Sequence, residues 1–167
     1  MDTSVMAPVG AIEANIENEI PCLLVPITDK KLLLPTVSIA EMLSYERPDP
    51  CRPVDEPANW YLGDLKWRGI HVPMLSIEAM TGGDIAPVTV NSQIAILNNT
   101  GVNAGLPFIS FLTQGIPRLS RVSPQEISGS GENAGDFFDM NVTVAGEQGI
   151  IPDVSKLEEA CVQLFKL

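Results

Sequence analysis

Short apolar runs separated by turn-forming residues are the feature that most constrains the fold of this chain. From Pro21 onward the runs are about five to eight residues long, and clusters of Gly, Pro, Asn, Asp or Ser separate them. Runs of this length are short for helices and fit β-strands. The pattern is typical of an all-β sandwich or barrel, and about ten short strands suit two small barrels better than one large one.

The second of these runs is rich in leucine on both faces, which is typical of a strand buried between two layers. An arginine and a glycine, Arg68 and Gly69, separate two longer runs and predict the turn of a β-hairpin. The expected strands are 22–27, 31–35, 38–45, 60–67, 70–77, 94–97, 107–113, 118–122, 137–145 and 150–154, the last two flanking a turn at 146–149.

Proline interrupts the chain between residues 46 and 59. Four prolines lie in this segment, and each of them removes a backbone donor and fixes φ. The segment therefore cannot be a helix or an interior strand. We expect a stiff, extended crossing between two strands.

The two ends of the chain differ from its middle. Residues 1–19 carry four acidic and no basic side chains, and they predict a flexible acidic tail, although Ile12, Ile16 and Ile20 also have the spacing of a short helix. At the other end Ser155 and Glu158 fit a capping box. The helix that follows has one apolar face, formed by Leu157, Cys161, Leu164 and Phe165.

Charge excludes several classes of partner. The chain has 10 Lys+Arg against 21 Asp+Glu, a formal charge of −11. Nucleic acid and anionic membrane surfaces attract the opposite sign, so we expect neither as a partner. The stretch 85–117 has no charged side chain, but its asparagines would lack hydrogen-bond partners in hydrocarbon. It predicts strand, polar turn and strand, without insertion into a membrane.

No motif in the sequence predicts catalysis, a cofactor or a metal site. The chain has one histidine and three cysteines at wide spacing, which favours reduced thiols in a cytoplasmic protein. A thiol-dependent hydrolase would need Cys22 or Cys51 beside His71. Most of the acidic residues of the middle of the chain are expected on a solvated face rather than around a metal; the residues concerned are Asp49, Asp55, Glu56, Asp64 and Glu78.

The segment after the prolines carries a more specific pattern. It runs L-G-D-L-K-W-R-G-I-H-V-P-M-L-S-I over 62–77, so three residues separate an R-G pair from a proline that lies between apolar residues. This array resembles the CheW-like family of chemotaxis adaptors. The resemblance covers about residues 20–167, with I-A-E-M at 39–42, the second-half strands over 111–122 and the closing hairpin and helix over 146–157 as further matches.

The resemblance implies a fold of two intertwined five-stranded β-barrel subdomains plus a short C-terminal helix. The middle barrel would cover about 28–85, and the second would combine the first strand with 90–155. The implied function is a non-enzymatic adaptor in the cytoplasm, recruited to membrane receptor arrays. Its partners would be the regulatory domain of a CheA-type histidine kinase and the cytoplasmic tip of a methyl-accepting chemoreceptor.

Within the family, the segments 32–35, 60–63 and 67–69 are most similar to the ChpC type, which serves the chemosensory system of type IV pili and twitching motility. The alternative is a small-molecule or regulatory binding module on the same β-barrel fold, without coupling to a kinase.

The family's motif residues give the expected partner-binding or interface-supporting positions. Arg68 and Glu41 are implied to pair, and an arginine between apolar flanks needs a carboxylate if it is buried. If Glu41 lay in the interior, Arg68→Ala would cost about 3–5 kcal/mol. The full set is Ile39, Glu41, Gly63, Trp67, Arg68, Gly69, Pro73 and Leu75.

Overall fold

The computed structural model describes residues 18–129, 135–144 and 146–167. Within these ranges the chain forms eleven strands, two α-helices and two short 3-10 turns, so the expectation of a mostly β protein with a C-terminal helix is confirmed. The strands are β1 (Ile20–Ile27), β2 (Lys30–Pro35), β3 (Ile39–Ser44), β4 (Tyr61–Trp67), β5 (Ile70–Leu75), β6 (Gln93–Asn98), β7 (Phe108–Thr113), β8 (Arg118–Val122), β9 (Ile127–Gly129), β10 (Phe138–Val144) and β11 (Glu147–Pro152). The helices are α1 (Ile77–Met80) and α2 (Val154–Phe165), and the 3-10 turns are Thr36–Ser38 and Pro124–Glu126.

The strands form two sheets. One has six strands in the order β8-β1-β2-β11-β10-β9, and the other has five in the order β3-β6-β7-β5-β4. Neighbouring strands are antiparallel except β2 with β11 and β5 with β7, which are parallel. Within the described ranges no backbone pairing joins β8 to β9 or β3 to β4. The sheets are therefore not the closed barrels that the resemblance implied.

Each sheet combines strands from both of the expected ranges, 28–85 and 90–155. β6 and β7, which lie after residue 90, pair with each other and with β3 and β5. β2, which lies inside 28–85, pairs with β1 and β11 in the other sheet. In the five-stranded sheet two pairings join strands that are distant in sequence: β3 with β6, which is antiparallel, and β5 with β7, which is parallel.

The largest apolar core lies between the two sheets and under α2. The six-stranded sheet contributes alternate residues of β1 and β2, and the five-stranded sheet contributes Leu75, Leu97 and Phe111. Alternation follows from the strand geometry, because successive side chains point to opposite faces. We call this cluster the shared core.

Each sheet also has a smaller core on its other face. Leu24 and Leu33 are register partners in the six-stranded sheet and pack there with Val142. In the five-stranded sheet the second core contains Trp67, Val72 and other buried side chains. Strands β1 and β2 are thus apolar on both faces because both faces are covered, as the leucine run predicted.

Strand β5 ends earlier than the sequence suggested. Its apolar run continues to Ile77, but the hydroxyl of Ser76 accepts a hydrogen bond from the N–H of Ala79 at 3.2 Å and caps the short helix α1. The buried carboxylate of Glu78 then accepts from both the N–H and the hydroxyl of Thr28 at 3.0 Å. Helix α1 is thereby attached to the turn between β1 and β2.

The C-terminal hairpin and helix also differ in detail. β11 begins at Glu147, so residues 147–149 lie in a strand rather than in the expected turn. The N-cap of α2 is Asp153, whose side chain accepts from the N–H of Lys156 at 3.3 Å, so the predicted capping box of Ser155 and Glu158 is wrong. Glu158 is 1% exposed and accepts from the N–H and hydroxyl of Thr100 instead.

The predicted acidic tail falls largely outside the described residues, which include only its residues 18 and 19. The described helices include none that is both long and apolar enough to cross a membrane.

Candidate protein-binding site

The hairpin between β4 and β5 places Arg68 at the surface. Arg68 and Gly69 form its two-residue turn and have φ values of +49° and +80°. Positive φ at both central positions is the geometry of a type I′ turn, which matches the right-handed twist of paired strands. Glycine adopts it freely, and Arg68 is held there by the strands on either side. Its side chain is 68% exposed.

Trp67 connects this hairpin to the opposite edge of the five-stranded sheet. Its indole is buried and packs edge-on against Phe108, with 4.9 Å between ring centroids. The indole N–H donates to the Oε2 atom of Glu41 at 2.7 Å. Glu41 lies on β3 and Trp67 on β4, which are the two edge strands. The sheet is therefore curled enough for a side-chain hydrogen bond to join its two edge strands. We call the gap between these two strands the open side of the sheet.

The pairing of Arg68 with Glu41 is present, but it lies at the surface. The guanidinium is 3.5 Å from the Oε1 atom of Glu41 and 4.7 Å from the centroid of the Trp67 ring. The Glu41 side chain is 34% exposed, so removal of Arg68 would not leave a carboxylate in the interior. The condition for a cost of 3–5 kcal/mol, a Glu41 carboxylate stranded in the interior, is therefore not met. A solvated pair of this kind contributes about 0.2–1 kcal/mol.

The other predicted residues have different positions relative to this site. Ile39 begins β3, is half-buried and pairs with Leu97. Pro73 and Leu75 are buried within β5, and the carbonyl of Pro73 accepts from the Ser110 hydroxyl at 2.9 Å. Pro73 and Leu75 can therefore only support the sheet, whereas Glu41, Arg68 and Gly69 are accessible. Their roles in binding remain predictions.

Gly63 allows the proline-rich segment to approach β4. Its φ is +129°, and β4 is irregular between Tyr61 and Gly63. A Cβ atom at this position would be 2.1 Å from the carbonyl oxygen of Asp49. Asp49 and Asp64 exchange two backbone hydrogen bonds of 2.9 and 3.2 Å next to it. The glycine is therefore required by a close approach between two backbones.

The sequence did not predict the cluster that fixes the proline-rich segment. Arg52 donates to both carboxylate oxygens of Asp64, at 2.7 and 3.1 Å, and the Tyr61 hydroxyl donates to the same carboxylate at 2.8 Å. The Arg52 guanidinium also lies 4.0 Å from the centroid of the Phe165 ring on α2. We call these four residues the Arg52 cluster.

Burial determines the chemistry of the Arg52 cluster. Asp64 is 4% exposed and Glu78 is also buried, whereas Asp49, Asp55 and Glu56 are exposed, so the expected solvated face holds three of the five acidic residues. Burial raises the pKa of Tyr61 to about 12, which keeps its hydroxyl protonated as a donor. The one sequence signal was an aspartate between the apolar residues Leu62 and Leu65 of a strand, because such a position needs a partner if it is buried.

The cysteines do not form a catalytic arrangement with His71. Cys51 is exposed and its thiol donates to the carbonyl of Tyr61 at 3.3 Å. Among the described residues no hydrogen bond joins a cysteine to His71, and no group of three His, Cys, Asp or Glu side chains could hold a metal ion.

We predict that one cysteine of the three reacts with iodoacetamide at pH 8. Cys22 and Cys161 are buried, and burial raises the pKa of Cys161 to about 12 and also raises that of Cys22. Because the thiolate is the nucleophile, both should react much more slowly than Cys51. Mass spectrometry of the native protein measures this. Equal labelling of all three thiols would contradict the burial described here.

The described residues thus form two packed β-sheets, with an exposed arginine on a two-residue turn at the open side of one of them. The family model for the CheW-like domain matches residues 21–160, so the chain belongs to the CheW-like domain family. Members of this family are non-enzymatic scaffold proteins, and this chain is an adaptor rather than an enzyme.

A solved structure shows the same fold. The crystal structure of the scaffolding protein TtCheW from Thermoanaerobacter tengcongensis superposes with a TM-score of 0.64 at 12% sequence identity. The match covers 80% of this chain and 84% of that chain. No curated protein sequence matches this chain.

Proposed function

We propose that the protein couples a CheA-type histidine kinase to chemoreceptors by binding the kinase regulatory domain and the cytoplasmic tip of a methyl-accepting receptor. The observation that carries the proposal is the position of Arg68. It is the exposed cation of a rigid turn, and Glu41 and Trp67 hold it at the open side of the five-stranded sheet. Membership of the CheW-like family supports a scaffold role for this surface.

The charge of the protein favours reversible binding through this surface. A guanidinium above an indole, beside a half-exposed carboxylate, offers one cation and one anion to a partner in a fixed geometry. The remainder of the chain is acidic, and that charge steers partners with basic surfaces toward it. Such a protein acts in the cytoplasm and is recruited to membrane receptor arrays by its partners.

The test is direct binding to each partner separately. Purified kinase regulatory domain and a receptor-tip fragment are each titrated into the protein by calorimetry. We expect Arg68→Ala to weaken at least one of the two complexes about tenfold or more, because it removes an interfacial charge. Arg121→Ala is the matched control, since Arg121 is an exposed arginine on β8, away from the hairpin.

Two results would reject the proposal. One is the absence of binding between the wild-type protein and either fragment. The description of the fold would then still hold, but the proposed function would not. The other is equal weakening by Arg68→Ala and Arg121→Ala, which would show a general charge effect without a site at the hairpin.

We further propose that the pathway is the chemosensory system of type IV pili, as in the ChpC type. The supporting observations are the segments at 32–35, 60–63 and 67–69. Deletion of the gene should then reduce twitching motility and leave swimming unaffected. A swimming defect with normal twitching would contradict this assignment and indicate a role in the chemotaxis of swimming cells.

A further inference from the structure

The Glu41 carboxylate is bonded more closely to Trp67 than to Arg68. Its Oε2 atom accepts from the Trp67 indole N–H at 2.7 Å, a short hydrogen bond to a charged acceptor. Its Oε1 atom lies 3.5 Å from the Arg68 guanidinium, which is longer than the roughly 2.7–2.9 Å of a charge-assisted bond. Glu41 would therefore keep its shorter bond if the side chain of Arg68 moved away.

Trp67 is a fixed support for both charged groups. Its indole is 7% exposed and packs against Phe108, so packing sets the direction of its N–H. The same ring carries the Arg68 guanidinium above it, 4.7 Å from the centroid. One buried side chain thus orients an anion and a cation at the open side of the five-stranded sheet.

The donors of Arg68 are available to a partner. Its side chain is 68% exposed, and among the described residues the guanidinium makes one ion pair and donates no hydrogen bond. A guanidinium presents its N–H groups in a planar fork that matches the two oxygens of a carboxylate. The cation can therefore make a bidentate contact with a planar acceptor of another protein.

Charge favours a carboxylate as that acceptor. If Arg68 moved from Glu41 to a backbone carbonyl, a charged acceptor would be exchanged for a neutral one, and the hydrogen bond would be weaker. A carboxylate of the partner replaces Glu41 by a group of the same charge and accepts two N–H groups at once. Glu41 remains bonded to Trp67 in the meantime.

We propose that Trp67 is a positioning residue for partner binding: it holds Glu41 independently of Arg68, which leaves Arg68 to bind an Asp or Glu side chain of the partner. The inference rests on the proposed function, because it names the chemistry by which the same surface binds. Arg68 contacts the partner, whereas Trp67 acts through Glu41.

Trp67→Phe tests the positioning role, because it keeps an aromatic ring against Phe108 and removes the N–H. Arg68 is then the nearest donor of Glu41 and is drawn away from the partner. We expect the Kd for the fragment whose binding depends on Arg68 to rise about tenfold in calorimetry. Trp60→Phe is the matched control and should leave the Kd unchanged, since among the described residues the other tryptophan donates no side-chain hydrogen bond.

A second substitution separates positioning from packing. In Trp67→Phe/Glu41→Gln the carboxylate that competes for Arg68 is gone, so we expect the Kd to return close to the wild-type value. A packing defect, or a poorer ring beneath the guanidinium, would not be repaired by this change. Persistent weakening in the folded double variant would overturn the proposal, and so would equal weakening by Trp60→Phe.

The salt dependence of binding tests the chemistry of the partner's group. Arg68→Ala and Arg121→Ala each remove one positive charge, so their long-range effects are matched. If Arg68 binds a carboxylate, the Kd of Arg68→Ala should depend less on NaCl, between about 50 and 300 mM, than that of Arg121→Ala. Equal salt dependence in the two variants would reject an Asp or Glu side chain as the acceptor.

Nuclear magnetic resonance of the protein alone distinguishes failure of this inference from failure of the proposed function. Each of the two tryptophans gives one indole N–H signal, and Glu41→Gln should shift that of Trp67 and not that of Trp60. The Nε–H of Arg68 should exchange with solvent more slowly in Trp67→Phe than in the wild type. Unchanged signals and exchange would reject the positioning role even if both fragments bind. The expected changes, without binding of either fragment, would support the positioning role and reject the proposed function.

Discussion

Arg52→Ala is expected to lower the free energy of unfolding by about 2–4 kcal/mol, whereas Arg68→Ala should cost about 1 kcal/mol or less. Both arginines pair with a carboxylate, and they differ in the burial of that carboxylate. The Asp64 side chain is 6% exposed, so loss of Arg52 leaves a buried charge with the Tyr61 hydroxyl as its remaining side-chain donor. The Glu41 side chain is 34% exposed and keeps its bond from Trp67.

Urea unfolding of the two variants and the wild type measures this difference. The Arg52 side chain is itself 37% exposed, so the expected loss lies below that of a fully buried pair. Arg52→Ala also removes the contact with the Phe165 ring, which attaches the proline-rich segment to α2. Equal losses in the two variants, or a larger loss for Arg68→Ala, would contradict the assignment of the buried pair to Arg52.

Gly63→Ala should also cost about 2–4 kcal/mol. Part of the loss is backbone strain, since φ of +129° is rarely adopted by L-residues and a left-handed conformation costs about 1–2 kcal/mol. The remainder is the contact of 2.1 Å between the new Cβ and the Asp49 carbonyl oxygen, which must separate the two backbones and their hydrogen bonds.

Gly69→Ala is the control for the strain alone. Its φ is +80°, but a Cβ there would have nothing within 4 Å. We expect a loss of about 1 kcal/mol, the cost of a left-handed alanine. If both glycine variants unfold at the same urea concentration, the close approach at Gly63 contributes nothing to stability.

The strands were predictable because local chemistry determines them. The leucines of 32–34 alternate between two covered faces, and Arg68-Gly69 has the residue types of a tight turn. The ends of elements were less predictable. Ser76 terminates β5 through one side-chain hydrogen bond, and Asp153 caps α2 where Ser155 was expected, because several polar residues nearby compete for the same N–H groups.

The contacts between distant segments were not predictable from spacing. Arg52 and Asp64 are separated by a segment whose path depends on the close approach at Gly63. The curling of the five-stranded sheet, which brings Glu41 to Trp67, depends in turn on the core that fills it. The pairing of Glu41 with Arg68 was predicted only through the resemblance to the CheW-like family. The structure shows that this ion pair is accessible to solvent.

The parallel pairing of β11 with β2 has a consequence for synthesis on the ribosome. The five-stranded sheet is complete once Thr113 has emerged, whereas the six-stranded sheet requires β11 from Glu147 onward. The hairpin of β1 and β2 therefore cannot pair with β11 until the last quarter of the chain has been synthesised. Until then the leucines on one of its faces stay exposed to solvent. We expect this exposed hairpin to be the segment that chaperones bind and from which aggregation starts.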